Sequence, residues 1–146
     1  MKWWAAPMML SLSAGGCADF PKDSAGTLDR ARGGAFTVGW TGAARGDPHL
    51  RRLVTRLAER LHARPAAVSG PAEPLLMRLE EGEVDLVVGV FDKKSPWRDR
   101  VTFSRPLATE KAGGGELQAV AATRNGEHAW SMEVDRTVNE LTGAGS

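Results

Sequence analysis

Five residues with usable chemistry fall in the run FDKKSPWR, residues 91–98, directly after the apolar block VDLVVGV. Asp92 and Ser95 offer a carboxylate and a hydroxyl, and Arg98 a guanidinium. Trp97 offers aromatic surface for stacking, as does Trp40 in an earlier block, and Phe91 closes the strand from which the run leaves. Thr41 and Gly42 close an earlier β-rich block, and a helix opening at Asp47 would present backbone N–H groups that favour an anion. Brought together on one sheet edge, these groups form the best candidate for a binding site. They do not form a bond-breaking set. No Ser-His-Asp arrangement can be assembled, and the single cysteine, Cys17, precedes the domain. His49, His62 and His128 are scattered without a second ligand at metal spacing, so they read as surface residues and no metal is expected. Glu80, Glu81, Glu83 and Asp85 sit on a helix end and turn and read as a solvated face. Gly113, Gly114 and Gly115 lack the following Lys-Ser/Thr of a phosphate loop, so no nucleotide is expected, nor any other cofactor. The plainer reading of Asp92 to Ser95 is a turn with solvated lysines. Trp40 and Trp130 read as core residues, and Trp97 as a lid over a sheet edge.

The elements that must position these groups follow from periodicity. Residues 35–41 (AFTVGWT) alternate and are β-rich, which predicts a first strand. Residues 42–46 read as a flexible loop. Asp47 then suits a helix N-cap and Pro48 the first helical position. Leu50, Leu53, Val54, Leu57, Ala58 and Leu61 form one apolar stripe, with Arg and Glu on the opposite face. Pro65 is expected to stop that helix, and residues 66–69 form a short second strand. A second helix is predicted over 72–81, with Gly82 as its stop. The nearly unbroken apolar run 84–91 implies a strand buried on both faces, as in a parallel sheet covered by helices. Short strands are expected at 101–103 and 107–109, a turn at the triple glycine, and a further strand over 116–123. A last helix runs from 126 or 127 to about 141, with Trp130, Val134, Val138 and Leu141 facing the core. The β-α-β-α-β order with right-handed crossovers gives an α/β fold. It is a doubly wound, mainly parallel sheet of about 4–6 strands with helices on both faces and strand one central. The exits of strands one and three then share one rim, at the switch point where such sheets bind ligands.

Composition is that of one soluble domain: 146 residues, 42% apolar, with a net charge of +1. That balance argues against a nucleic-acid partner, which calls for a strongly basic face. The N-terminus is distinct. Lys2, a short apolar run and Ser13-Ala14-Gly15-Gly16 make a secretory leader over 1–16, too short to span a bilayer. Ala14-Gly15-Gly16-Cys17 resembles the lipobox of bacterial lipoproteins, which implies an acylated Cys17; a plain cut nearby is the alternative. Residues 17–34, polar and rich in glycine, read as the lipidated cysteine and a tether that leads into a short helical turn at 27–32, residues 35–142 as the folded lobe and 143–146 as a tail. The expected location is periplasmic, membrane-anchored through lipid.

Gly82, Asp85, Val101, Phe103, Ser104 and Pro106 match a strand entry "G-x-x-D-hydrophobic" followed by "v-x-F-S-x-P". With LDRARGGAFTVGWTGA at the front and NGEHAWSMEVDRTVNEL at the end, their order resembles the first lobe of bacterial periplasmic solute-binding proteins, the amino-acid type that serves ABC transporters. That family inserts a second lobe after "F-S-x-P", whereas here only residues 107–124 bridge the interval. The resemblance therefore implies a single-lobe version whose two inter-lobe strands have collapsed into a short hairpin. In that family an arginine forks onto the ligand carboxylate; the matching position here is Trp97, with Arg98 beside it. The implied site is Thr41, Gly42, Phe91, Asp92, Ser95, Trp97 and Arg98. The implied partners are a weakly held small polar solute, a transporter or sensor membrane protein, or a second copy of the chain forming a homodimer. The alternatives are an accessory interaction or structural module without ligand and, further off, a dehydratase-like enzyme.

Overall fold

The computed structural model describes residues 22–144, so the expected leader and Cys17 lie outside the described residues. In chain order the elements are α1 (Thr27–Ala31), β1 (Ala35–Thr41), a 3-10 turn (Gly42–Gly46), α2 (Pro48–Leu61), β2 (Arg64–Gly70) and α3 (Ala72–Glu80). There follow β3 (Leu86–Asp92), a second 3-10 turn (Pro96–Asp99), β4 (Val101–Phe103), β5 (Ala108–Ala112), β6 (Gly115–Arg124) and α4 (His128–Thr142).

The sheet order is β2-β1-β3-β6-β4, with β5 also on β6. β1 is parallel to β2 and β3, while β6 is antiparallel to β3, β4 and β5. Five strands thus point one way and β6 alone the other, a mixed and mostly parallel sheet. The middle place belongs to β3, not to β1 as expected, because β6 returns from the C-terminal part of the chain to cover the far edge of β3. That position explains why residues 86–89 are buried throughout. Leu86 and Val88 of β3 join Phe36, Val38 and Trp40 under α1, α2 and α4, and Val87 and Phe91 join Leu75, Leu76 and Leu79 of α3. Helices therefore cover both faces.

Helix α2 starts as its sequence dictates, with Leu50, Leu53, Val54, Leu57 and Leu61 buried along one stripe. It ends at His62, whose φ of 49° turns the chain left-handed, rather than at Pro65. Pro65 instead lies in the edge strand β2. The N–H of Arg64 donates inward to the carbonyl of Gly34, so strand alternation points position 65 outward. Proline there removes one outward N–H and blunts the open edge.

Two further expectations are corrected. Residues 42–46 form a 3-10 turn, not a flexible loop. Residues 23–34 are docked, not a free tether: Asp23 accepts from the N–H of Trp130 and of Leu28, and the Glu127 carboxylate accepts from the N–H of Ala25 and of Thr27. Asp85 is likewise no solvated acid. It accepts from the Thr37 N–H at 2.9 Å and pairs with Arg30, tying α1 and β1 to the entry of β3. Trp130 is fully buried, stands edge-on to Phe36 with ring centroids 5.4 Å apart, and donates its indole N–H to the Asp85 carbonyl.

Candidate functional site

Because β1 and β3 are parallel neighbours, with Trp40 opposite Val88, their carboxyl ends leave on one rim. β6 begins at that rim, paired with β5, and the two are joined by Gly113 and Gly114. Both glycines have positive φ, 55° and 81°, as a two-residue hairpin turn requires. The hairpin expected at the triple glycine is therefore present, with β5 longer than expected.

The rim residues divide into two groups. Thr41 is buried and its hydroxyl donates to the Val88 carbonyl. It shares a face with Gly89, where a Cβ would lie 2.3 Å from Thr41 Oγ1 and 2.8 Å from Phe91 Cε2. Phe91 is buried against Phe103, with centroids 5.1 Å apart. Ser95 caps the second 3-10 turn by accepting from the Trp97 N–H. Trp97 is half-buried on the α3 side, and the Arg100 guanidinium lies 4.3 Å from its ring while also pairing with Glu80. Arg98 donates to the Lys93 carbonyl and, at 2.8 Å, to Gln118 Oε1, and it lies over the Phe103 ring. Its fork is spent inside the chain.

Gly42 and Asp92, by contrast, are exposed. The Asp92 carboxylate accepts from the Lys94 N–H at 2.7 Å, and it has room beside β6 because residue 115 is glycine. The N-terminus of α2 is not open to an anion, contrary to expectation. Asp47 already accepts from the N–H of His49 at 2.8 Å and of Leu50 at 3.1 Å, which satisfies those donors and offsets the positive end of the helix.

Two open grooves flank the hairpin. One, of about 1090 Å3, is lined by Asp92, Lys93, Lys94, Lys111, Glu116 and the glycine turn. The other, of about 400 Å3, has Val90, Leu117, Ala108 and Ala119 as its floor and Asp47, His49, Thr109 and Glu110 as its walls. Val90 is 46% exposed. Sequence reading missed Val90 because an apolar run looks uniformly buried. It missed Glu110, Lys111 and Glu116 because only tertiary pairing brings the hairpin to this rim. Among the described residues no group of three or more His, Asp or Glu side chains could hold a metal, and no helix is long and apolar enough to cross a membrane.

No family model and no curated protein matches the chain. Solved structures do. The arginine-bound form of domain 1 from TmArgBP is 19% identical, with a TM-score of 0.62 over 73% of this chain and 93% of that one. A mutant of ArgBP from T. maritima gives 0.67 at 11% identity over 82% and 94%. The substrate binding protein of an amino acid ABC transporter gives 0.62 at 10% identity over 76% and 94%. At such identities the likeness is one of fold. This chain has the architecture of a single binding-protein lobe.

Proposed function

We propose that the chain is a transporter-associated, solute-binding-like lobe, exported and anchored through an acylated Cys17, that works through its open rim. The observation that carries this reading is the shared rim of β1 and β3, which ends in a β5–β6 hairpin and leaves its grooves facing outward. A pocket normally buries most of its ligand. One lobe offers a small polar solute a single wall, so capture is weak. Binding belongs to Gly42, Asp92 and the backbone around them, while Thr41, Phe91, Ser95, Trp97 and Arg98 hold that surface in shape.

The same commitment of side chains favours a second use of the rim, the docking of a transporter or sensor domain. Arg98 and Trp97 would need to break internal contacts to grip a solute, whereas a protein partner can be met by the rim as it stands. Calorimetry and NMR titration of the purified chain with arginine, other amino acids and organic acids test the reading. The expected outcome is a Kd weaker than about 0.1 mM, with amide shifts confined to residues 41–42, 90–95 and 110–116. Submicromolar capture by a monomer, or shifts elsewhere, would overturn it.

A further inference from the structure

We infer that a second copy of this chain covers the rim, in a two-fold pair that sets the lysine groove of each copy against the carboxylate groove of the other. The step rests on reading the chain as a binding lobe with an open rim, and it names the occupant of that rim. Strand alternation sends neighbouring residues of the hairpin to opposite faces. Lys111 lies opposite Glu116 in the ladder and Glu110 opposite Leu117, so Lys111 opens into the larger groove and Glu110 into the smaller.

The two grooves differ in sign. The larger holds Lys93, Lys94 and Lys111 against Asp92 and Glu116. Glu116 is already paired with Lys93 at 3.7 Å, and Asp92 is engaged by the Lys94 amide. Lys94 and Lys111 form no ion pair among the described residues, and their ammonium groups set the charge of this face. In the smaller groove Asp47 is held by the amides of His49 and Leu50, no lysine or arginine is present, and Glu110 sets the charge. Glu110 too forms no ion pair among the described residues.

A two-fold contact is self-complementary: whatever one copy presents to the second, the second returns. A rim with one positive and one negative flank on either side of a hairpin meets that condition. Turned about a two-fold axis that runs between the two flanks it makes two matched lysine–carboxylate contacts, and about an axis that runs across them two like-charge contacts, which costs enough to reject that arrangement. The exposed side chain of Val90, with the half-buried Leu117 and Ala108, supplies apolar surface next to the charged contacts. Each copy then provides the wall that the other lacks, and the enclosed space between the two hairpins is where a solute would be held.

Sedimentation velocity on the purified full chain tests the pair. A dimer is expected at low salt, with its Kd rising about tenfold or more when salt screens the contacts. Lys94→Glu with Lys111→Glu, and separately Glu110→Lys, should each weaken the dimer about tenfold or more. An equimolar mixture of the two variants should recover it as a heterodimer, while Glu73→Lys on α3 leaves it unchanged. Circular dichroism confirms that each variant folds. A chain that stays monomeric to about 1 mM overturns the pair, and solute shifts at the rim of that monomer would leave the binding-lobe reading standing. A dimer whose swapped variants do not reassociate overturns this interface.

Discussion

Two positions decide whether the rim and the opposite pole keep their shape. At Gly89 a methyl group would fall 2.3 Å from Thr41 Oγ1 and 2.8 Å from Phe91 Cε2, inside any real contact distance, and both neighbours are buried. Gly89→Ala must move β1 or β3 apart, and overpacking of that kind costs about 1–3 kcal/mol. Urea denaturation should show the loss, and Thr41→Ala in the same background should recover part of it. At the other pole the buried Glu127 carboxylate gathers donors. Burial alone would push its pKa up, but hydrogen bonds from Thr27, Ala25 and Ser24 outweigh burial and hold the carboxyl below the ordinary glutamate range. A carboxyl lowered on folding stabilises the fold above its unfolded pKa, and that stability is lost as pH falls through the folded value. Stability measured by denaturant against pH should therefore fall on acidification below about pH 4.3. Glu127→Gln should flatten that fall and cost about 1–3 kcal/mol at neutral pH, since its amide places donors against donors.

At the scale of elements, α2 and α4 meet along a polar seam that the helical pattern presents as a solvated face. Glu133, buried on α4, is reached by Arg60 at 2.7 Å and by Arg136 at 3.2 Å, and Arg60 also pairs with Glu140. The hydrogen bond to Glu133 raises the Arg60 pKa above its usual value against the opposing effect of burial. Arg60→Ala removes the shortest partner of a buried carboxylate, which should cost about 1.5–3 kcal/mol. Arg56→Ala, which removes an exposed pair with Glu140 and Glu59, should cost under about 1 kcal/mol. Thermal melts of the two variants give the comparison, and equal losses would contradict it. The contrast also marks where sequence reading stops. Each helix of α2, α3 and α4 was legible from its apolar stripe, and β1 from its alternation. The partner of Arg60 was not, because it lies 73 residues away and only tertiary packing brings it near. Pro65 misled for a related reason: a proline signals a break, and which break depends on whether the strand lies at an edge. The rim was legible in outline from the order of β1 and β3. Which of its side chains remain open was not, since Arg98 and Trp97 are occupied by Gln118 and Arg100, residues outside the motif or packed back upon it.

For the molecule as a whole, the two ends of β6 separate the pole that receives the N-terminal segment from the rim. β6 starts at the hairpin, with Leu117 opposite Asp92, and finishes at Arg124 beside Glu127, where Asp23 is bridged to the chain. At about 3.3 Å per residue a strand of this length spans roughly 30 Å, so the pole that receives the N-terminal segment and the rim lie at opposite ends of the sheet. Lys22 follows Cys17 by five positions, with four residues between them, a reach of at most about 18 Å. An acyl anchor at Cys17 would then hold the Asp23–Glu127 pole at the bilayer and turn the rim away from it, toward soluble solutes, a second copy or the protruding domain of a partner. A fluorophore at Asp29→Cys, exposed next to that pole, should be quenched by brominated lipid when the acylated chain is bound to vesicles. The same label at Glu110→Cys, on the hairpin, should not be quenched. Equal quenching at both sites would mean that the domain lies flat on the membrane, and the rim would then have to recognise a partner within the lipid surface.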